Sequence, residues 1–142
     1  MVLDVVELRK NFDGPHHLLV ASDGLTLFMW KWEPRTEHSR KSALLLLHGL
    51  TAYCGAYSMM TEPLAERGFT IYGLDLRGHG LSDGNRGDCP SKERLVKDIC
   101  EAIDFVKERH ETVVLLAHSL GVLSSIYAMN HCLQNLGGAI LL

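Results

Sequence analysis

A chain of 142 residues with 46% hydrophobic content is the size of one globular domain and holds ample apolar material for a core. A formal net charge of −3, with no cluster of lysine and arginine, leaves no electrostatic footprint for nucleic acid or an anionic lipid surface. The longest purely apolar runs, at 43–47 and 113–117, are five residues against the ~20 that span a bilayer, so no transmembrane segment is expected.

Residues 1–15 are weakly patterned and end in the turn signal Asp13-Gly14-Pro15. Acidic residues interrupt their apolar part, which excludes a signal-peptide core and points to a cytoplasmic chain. Two β-rich runs, His17 to Ala21 and Leu25 to Glu33, flank Asp23-Gly24 and predict an antiparallel hairpin. Trp30 and Trp32 fall on one face of the second strand and read as packing residues. A polar surface loop at 34–41 precedes a buried strand, Ser42 to His48. A helix from Ser58 to Arg67, stopped by Gly68, leads to a strand at Phe69 to Asp75.

The loop 76–90 is glycine-rich and long enough to carry function. Ser91 opens a helix whose apolar stripe is Leu95, Ile99, Ala102, Ile103 and Val106; Glu93, Lys97, Asp98, Glu101, Asp104 and Lys107 read as its solvated face. Gly137-Gly138 introduces a last strand, Ala139 to Leu142. One starting hairpin followed by alternating strands and helices specifies an α/β fold: a three-layer α/β/α sandwich around a mostly parallel sheet. Cys54, Cys89, Cys100 and Cys132 form no C-x-x-C pair, so free thiols are expected and neither a metal site nor a cofactor is implied.

The chain is organised around Thr112 to Tyr127. Thr112 to Ala117 is a continuous β-rich apolar run, and Leu123, Ile126 and Tyr127 then recur at helical spacing, so the chain must turn sharply at His118 and Ser119. Small residues at Ala117 and Gly121 fit a tight turn that exposes a serine hydroxyl at the end of the sheet. A helix starting at Leu120 aims free N–H groups at that hydroxyl, where an oxyanion would develop. The alternative is a serine that only caps the helix.

Three segments, LLLLHGLTAYCGAY at 44–57, GLDLRGHGLSDGNRG at 73–87 and LLAHSLG at 115–121, resemble the α/β-hydrolase fold, and within it the monoacylglycerol lipase and lysophospholipase-like branch. The likeness covers residues 20–142. It implies Ser119 as catalytic nucleophile, the Leu50 and Leu120 N–H groups as the oxyanion hole, and a small-molecule ester as substrate. It also implies that His48, Gly49, His118 and Gly121, with Asp75, Arg77, Gly78, His79 and Gly80, shape the site, and that Asp75, Arg77 and Asp83 hold the loop beside the oxyanion hole. Ala117, Thr51 and Val122 stand where this family commonly has glycine.

In such hydrolases the acid and the histidine of the triad follow the serine. No Asp or Glu lies among residues 120–142, and the only histidine there, His131, falls roughly 18 Å down the helix at ~1.5 Å per residue. The chain therefore reads as the N-terminal part of one hydrolase domain, without lid or final strands and with little turnover of its own. A prolyl-aminopeptidase-type activity is the alternative within the fold. A non-catalytic module is the alternative outside it, pairing with itself or with a C-terminal complement through the 139–142 edge.

Overall fold

The computed structural model describes residues 4–37 and 39–142. Residues 1–3 of the weakly patterned N-terminal stretch, and His38 of the expected loop, lie outside the described residues. The elements run α1 (Val5–Lys10), β1 (His16–Val20), β2 (Thr26–Trp32), β3 (Ser42–Leu47), a 3-10 turn (Cys54–Tyr57), α2 (Ser58–Glu66), β4 (Thr70–Leu74), α3 (Lys92–Lys107), β5 (Thr112–Ala117), α4 (Leu120–Cys132), a short 3-10 turn and β6 (Gly138–Leu141).

Six strands form one sheet in the order β1-β2-β4-β3-β5-β6. The hairpin closes at Asp23-Gly24 because Gly24 reaches a φ of 87°, which a Cβ would resist. β2 runs antiparallel to both β1 and β4, while β4, β3, β5 and β6 are mutually parallel. The central strands are buried on both faces, so β3 and β5 read as unbroken apolar runs instead of alternating ones.

On one face α3 and α4 cover Leu45, Leu47, Val113 and Leu115 with Ile99, Ala102, Ile103, Val106 and Ala128. On the other, the 3-10 turn and α2 cover Leu44, Leu46, Ile71 and Leu116. The three layers foreseen are present. Trp30 and Trp32 stack at 6.0 Å on the α2 side, as packing residues do.

Two readings need correction. Residues 5–10 form a helix whose N-cap Asp4 accepts from the Val6 and Glu7 N–H groups; it has no buried residue, so no apolar period announced it. Asp98 is not on the solvated face of α3. Its side chain is 1% exposed and pairs with Arg77 at 2.8 Å and Arg94 at 2.7 Å. It follows Leu95 by three residues and precedes Ala102 by four, so it shares their inward stripe.

Candidate active site

The sheet delivers β5 to its carboxyl end at Ala117, and α4 leaves from Leu120. Between them Ser119 sits at φ 54°, ψ −118°, a region costly for any residue with a Cβ. It occupies the N-cap position of α4, yet its side chain accepts no cap hydrogen bond, and its hydroxyl is exposed. Close packing forces the turn. A Cβ on Gly121 would lie 2.3 Å from the Leu47 carbonyl oxygen, so only glycine lets α4 start against β3. A Cβ on Gly49 would lie 3.1 Å from the Ser119 Cβ, which brings the 48–51 loop directly onto the turn.

The strained backbone makes a prediction. Ser119→Gly is expected to unfold at a higher urea concentration than Ser119→Ala, by about 1 kcal/mol, because glycine relieves the positive φ that alanine keeps. At an unstrained position glycine would be the less stable of the two by about 0.5–1 kcal/mol, so that order would contradict the strain.

Leu50 follows in an exposed turn, and Thr51 adopts φ 59°, where its β-branched side chain is unfavourable. This is the place at which the resembling family prefers glycine, and the backbone shows why. Neither the Leu50 N–H nor the Leu120 N–H has an acceptor among the described residues. One comes from the loop after β3 and the other from the first turn of α4, on the two segments that Gly49 and Ser119 bring into contact.

His48 is fully buried. Its Nε2 accepts from the Leu76 N–H at 3.0 Å, which leaves Nδ1 to donate to the Gly49 carbonyl at 2.7 Å. Both nitrogens are committed, so His48 is a strut and has no lone pair to take a serine proton. Burial pushes its pKa down to about 4, against the Gly49 bond that pulls it up. The folded chain therefore binds a proton at His48 more weakly than the unfolded chain does. Stability from this residue is lost as pH falls from about 6.5 to about 4, a loss of about 3 kcal/mol. His48→Gln, which cannot titrate, should flatten that part of the urea-stability profile. An unchanged slope would contradict the assignment.

The other motif histidines lie nearby. The His79 ring sits 5.2 Å from that of His48, and its Nδ1 lies 3.0 Å from the Arg77 carbonyl. His118 is exposed, and its Nδ1 lies 3.0 Å from the Tyr57 hydroxyl. Asp75, at the end of β4, is fully buried and accepts from the Cys54 N–H at 2.7 Å, the Leu81 N–H at 2.9 Å and Trp30 Nε1 at 3.0 Å. It thereby ties the segment after Leu50 to the 76–90 loop. Gly80, at φ 48°, lets that loop pass over the carboxylate, since a Cβ there would lie 2.0 Å from Asp75 Oδ2. Gly78 turns at φ 75° against the Asn85 carbonyl.

Arg77 pairs with Asp98 on α3 and with Asp23 in the hairpin turn, and Asp83 pairs with Arg9 of α1 at 2.7 Å. Both fasten the 76–90 loop to neighbouring elements. Sequence reasoning missed Tyr57, whose hydroxyl also accepts from the Gly49 N–H at 3.1 Å, because nothing in a single tyrosine announces that contact. Among the described residues all four cysteines are free thiols, and no three His, Cys, Asp or Glu side chains gather as metal ligands would. No described helix is long and apolar enough to cross a membrane.

Residues 38–142 match the family described as serine aminopeptidase, S33. The chain belongs to the serine aminopeptidase S33 family. Among curated relatives of this S33 chain, the monoglyceride lipase of Rattus norvegicus is 30% identical over 132 residues, 92% of this chain and 42% of that protein. The Homo sapiens monoglyceride lipase is 30% identical over 111 residues, 77% of this chain and 35% of that protein. Among solved structures, the Paleococcus ferrophilus monoacylglycerol lipase is 30% identical with a TM-score of 0.68, over 81% of this chain and 42% of that one. The α/β hydrolase GrgF from Penicillium sp. sh18 is alike in fold, with a TM-score of 0.79 at 24% identity, over 89% of this chain and 44% of that one. The S33 chain thus has the α/β-hydrolase fold and spans less than half the length of these relatives.

Proposed function

We propose that this chain carries the nucleophile and oxyanion hole of a serine hydrolase of carboxylic esters, monoacylglycerol- or lysophospholipid-like, and forms the first part of a longer hydrolase domain. The observation that carries the reading is Ser119, held at positive φ with its hydroxyl uncommitted, beside the loop after β3 and the first turn of α4, whose Leu50 and Leu120 N–H groups have no acceptor among the described residues. The Ser119 Oγ adds to the ester carbonyl, and the developing oxyanion is held by those two N–H groups. Collapse expels the alcohol and leaves an acyl group on Ser119, which water then removes. His48 supports the oxyanion loop from beneath, and Asp75 holds the segment that follows it.

The proton steps need a general base. His48 is committed on both nitrogens, residues 120–142 hold no carboxylate, and His131 lies in the last turn of α4; these observations support a triad acid and base supplied from outside residues 1–142. The 142-residue chain alone should retain only ~10³–10⁴ over water, from oxyanion stabilisation and binding. The ester class rests on the likeness to monoglyceride lipases, while the family description names an aminopeptidase and so favours the second reading, aminoacyl-amide cleavage, for which a proline amide is the probe. Comparing an aryl ester with a proline aminoacyl amide, each against Ser119→Ala, separates them. Ester turnover lost in Ser119→Ala supports the first reading. Amide turnover alone supports the second, and robust ester hydrolysis by the 142-residue chain would contradict the missing base.

The β6 edge favours one further reading, a module that pairs through residues 139–142. Ile140, Leu141 and Leu142 are 46%, 43% and 59% exposed beside an unpaired strand edge. Sedimentation across a concentration series tests it, and a monomer throughout would contradict self-pairing.

A further inference from the structure

The 48–51 loop is under opposing demands. Thr51 stores strain at φ 59°, and the Leu50 N–H must nevertheless stay aimed beside Ser119. His48 fixes the loop's carbonyl side through Gly49 O. Its amide side is fixed by a side chain from outside the loop, since the Gly49 N–H donates to the Tyr57 hydroxyl at 3.1 Å. The same hydroxyl lies 3.0 Å from His118 Nδ1, and the two rings meet edge to face at 5.7 Å. A phenol has one proton. The Gly49 N–H occupies one lone pair of that oxygen, and the bond to Nδ1 uses either the phenol proton or the second lone pair, so the hydroxyl biases His118 toward one tautomer.

Tyr57 is well placed to act as a rigid post. It ends the 3-10 turn, immediately precedes α2 and packs against the core beneath that helix. Its hydroxyl joins the residue before Leu50 to the residue before Ser119. We propose that Tyr57 is a positioning residue that sets the spacing between the two oxyanion donors, the Leu50 and Leu120 N–H groups, by holding Gly49 and His118 to one oxygen. This rests on the reading that those N–H groups receive the oxyanion.

The test compares the 142-residue chain with Tyr57→Phe, which keeps the ring and removes the post's oxygen. Long-range ¹H–¹⁵N spectra report the His118 tautomer, amide shifts report Gly49 and Leu50, and intact mass follows phosphonylation of Ser119 by a fluorophosphonate. The expected result is one predominant His118 tautomer in the parent chain, both tautomers in Tyr57→Phe, displaced Gly49 and Leu50 amides, and Ser119 labelling slowed roughly 10–100-fold, as misplacement of reacting groups costs. His118→Ala, which keeps the Gly49 half of the link, should fall between the two. A merely structural tyrosine would lower the unfolding midpoint without changing the tautomer. An unchanged tautomer, or an unchanged labelling rate with Ser119 still labelled, overturns the proposal and leaves the Ser119 reading standing. A parent chain that is folded but never labelled at Ser119 overturns both.

Discussion

Replacing Asp75 with alanine is expected to cost about 3 kcal/mol or more in urea unfolding at neutral pH, since each buried donor left without an acceptor costs about 1–3 kcal/mol. Three donors lose their acceptor at once: the Cys54 N–H, the Leu81 N–H and Trp30 Nε1. Burial raises the Asp75 pKa above its ordinary 3.8, against those same three bonds. The folded state therefore holds this proton more tightly than the unfolded chain. Stability from Asp75 is fully present below its ordinary value of 3.8 and is lost as pH rises from there through the folded pKa, opposite in sign to the His48 slope. Asp75→Asn removes the titration but cannot accept all three bonds, because its amide nitrogen only donates. It should lie between the parent and alanine. A loss below about 1 kcal/mol for Asp75→Ala would mean that the three donors find other partners, and that Asp75 does not hold the segment after Leu50.

A loss of about 3–5 kcal/mol is expected for Asp98→Ala, because removing one partner of a buried ion pair strands the other. Asp98 is 1% exposed, and its two oxygens take Arg77 Nε and Nη2 at 2.8 and 2.9 Å, with Arg94 alongside. The Arg77 guanidinium, 5% exposed, would lose its principal counter-charge and keep only Asp23. These bonds hold the Arg77 pKa well above its ordinary value, so this group stays charged across any usable pH and cannot escape by deprotonating. The double replacement Arg77→Met with Asp98→Leu should recover most of the loss, since an apolar pair of similar volume avoids desolvating two charges. Urea midpoints for the single and double variants measure the coupling directly. Additive losses would contradict a linked pair.

What the sequence made legible follows from which signals are local. β3 and β5 were readable because strands buried on both faces appear as unbroken apolar runs, and the hairpin because Asp-Gly supplies the positive φ that its turn uses. The turn at Ser119 was readable because a strand period gives way to a helical one across two residues. The helix α1 was not, since Val6 and Leu8 remain exposed and only the Asp4 cap with Glu7 in the first turn marked it. The charge of Asp98 points to solvent while its spacing from Leu95 and Ala102 points inward, and the two arginines it pairs with, one of them on a distant loop, decide for the inward side. Arg77 lies in the 76–90 loop, but its side chain reaches Asp98 on α3, a direction no linear motif encodes. Tyr57 and the strain at Thr51 depend on φ and on contacts between distant segments, and emerge only from the folded chain.

The most direct test of the account is the site of covalent reaction with a fluorophosphonate, mapped by intact mass and peptide sequencing on the folded chain and on Ser119→Ala. The account predicts one adduct, on Ser119, formed at least ~10³-fold faster than on a free serine peptide and absent from Ser119→Ala, because the oxyanion donors act even where the base does not. A folded chain whose Ser119 reacts no faster than the peptide, or whose adduct lies elsewhere, would contradict it.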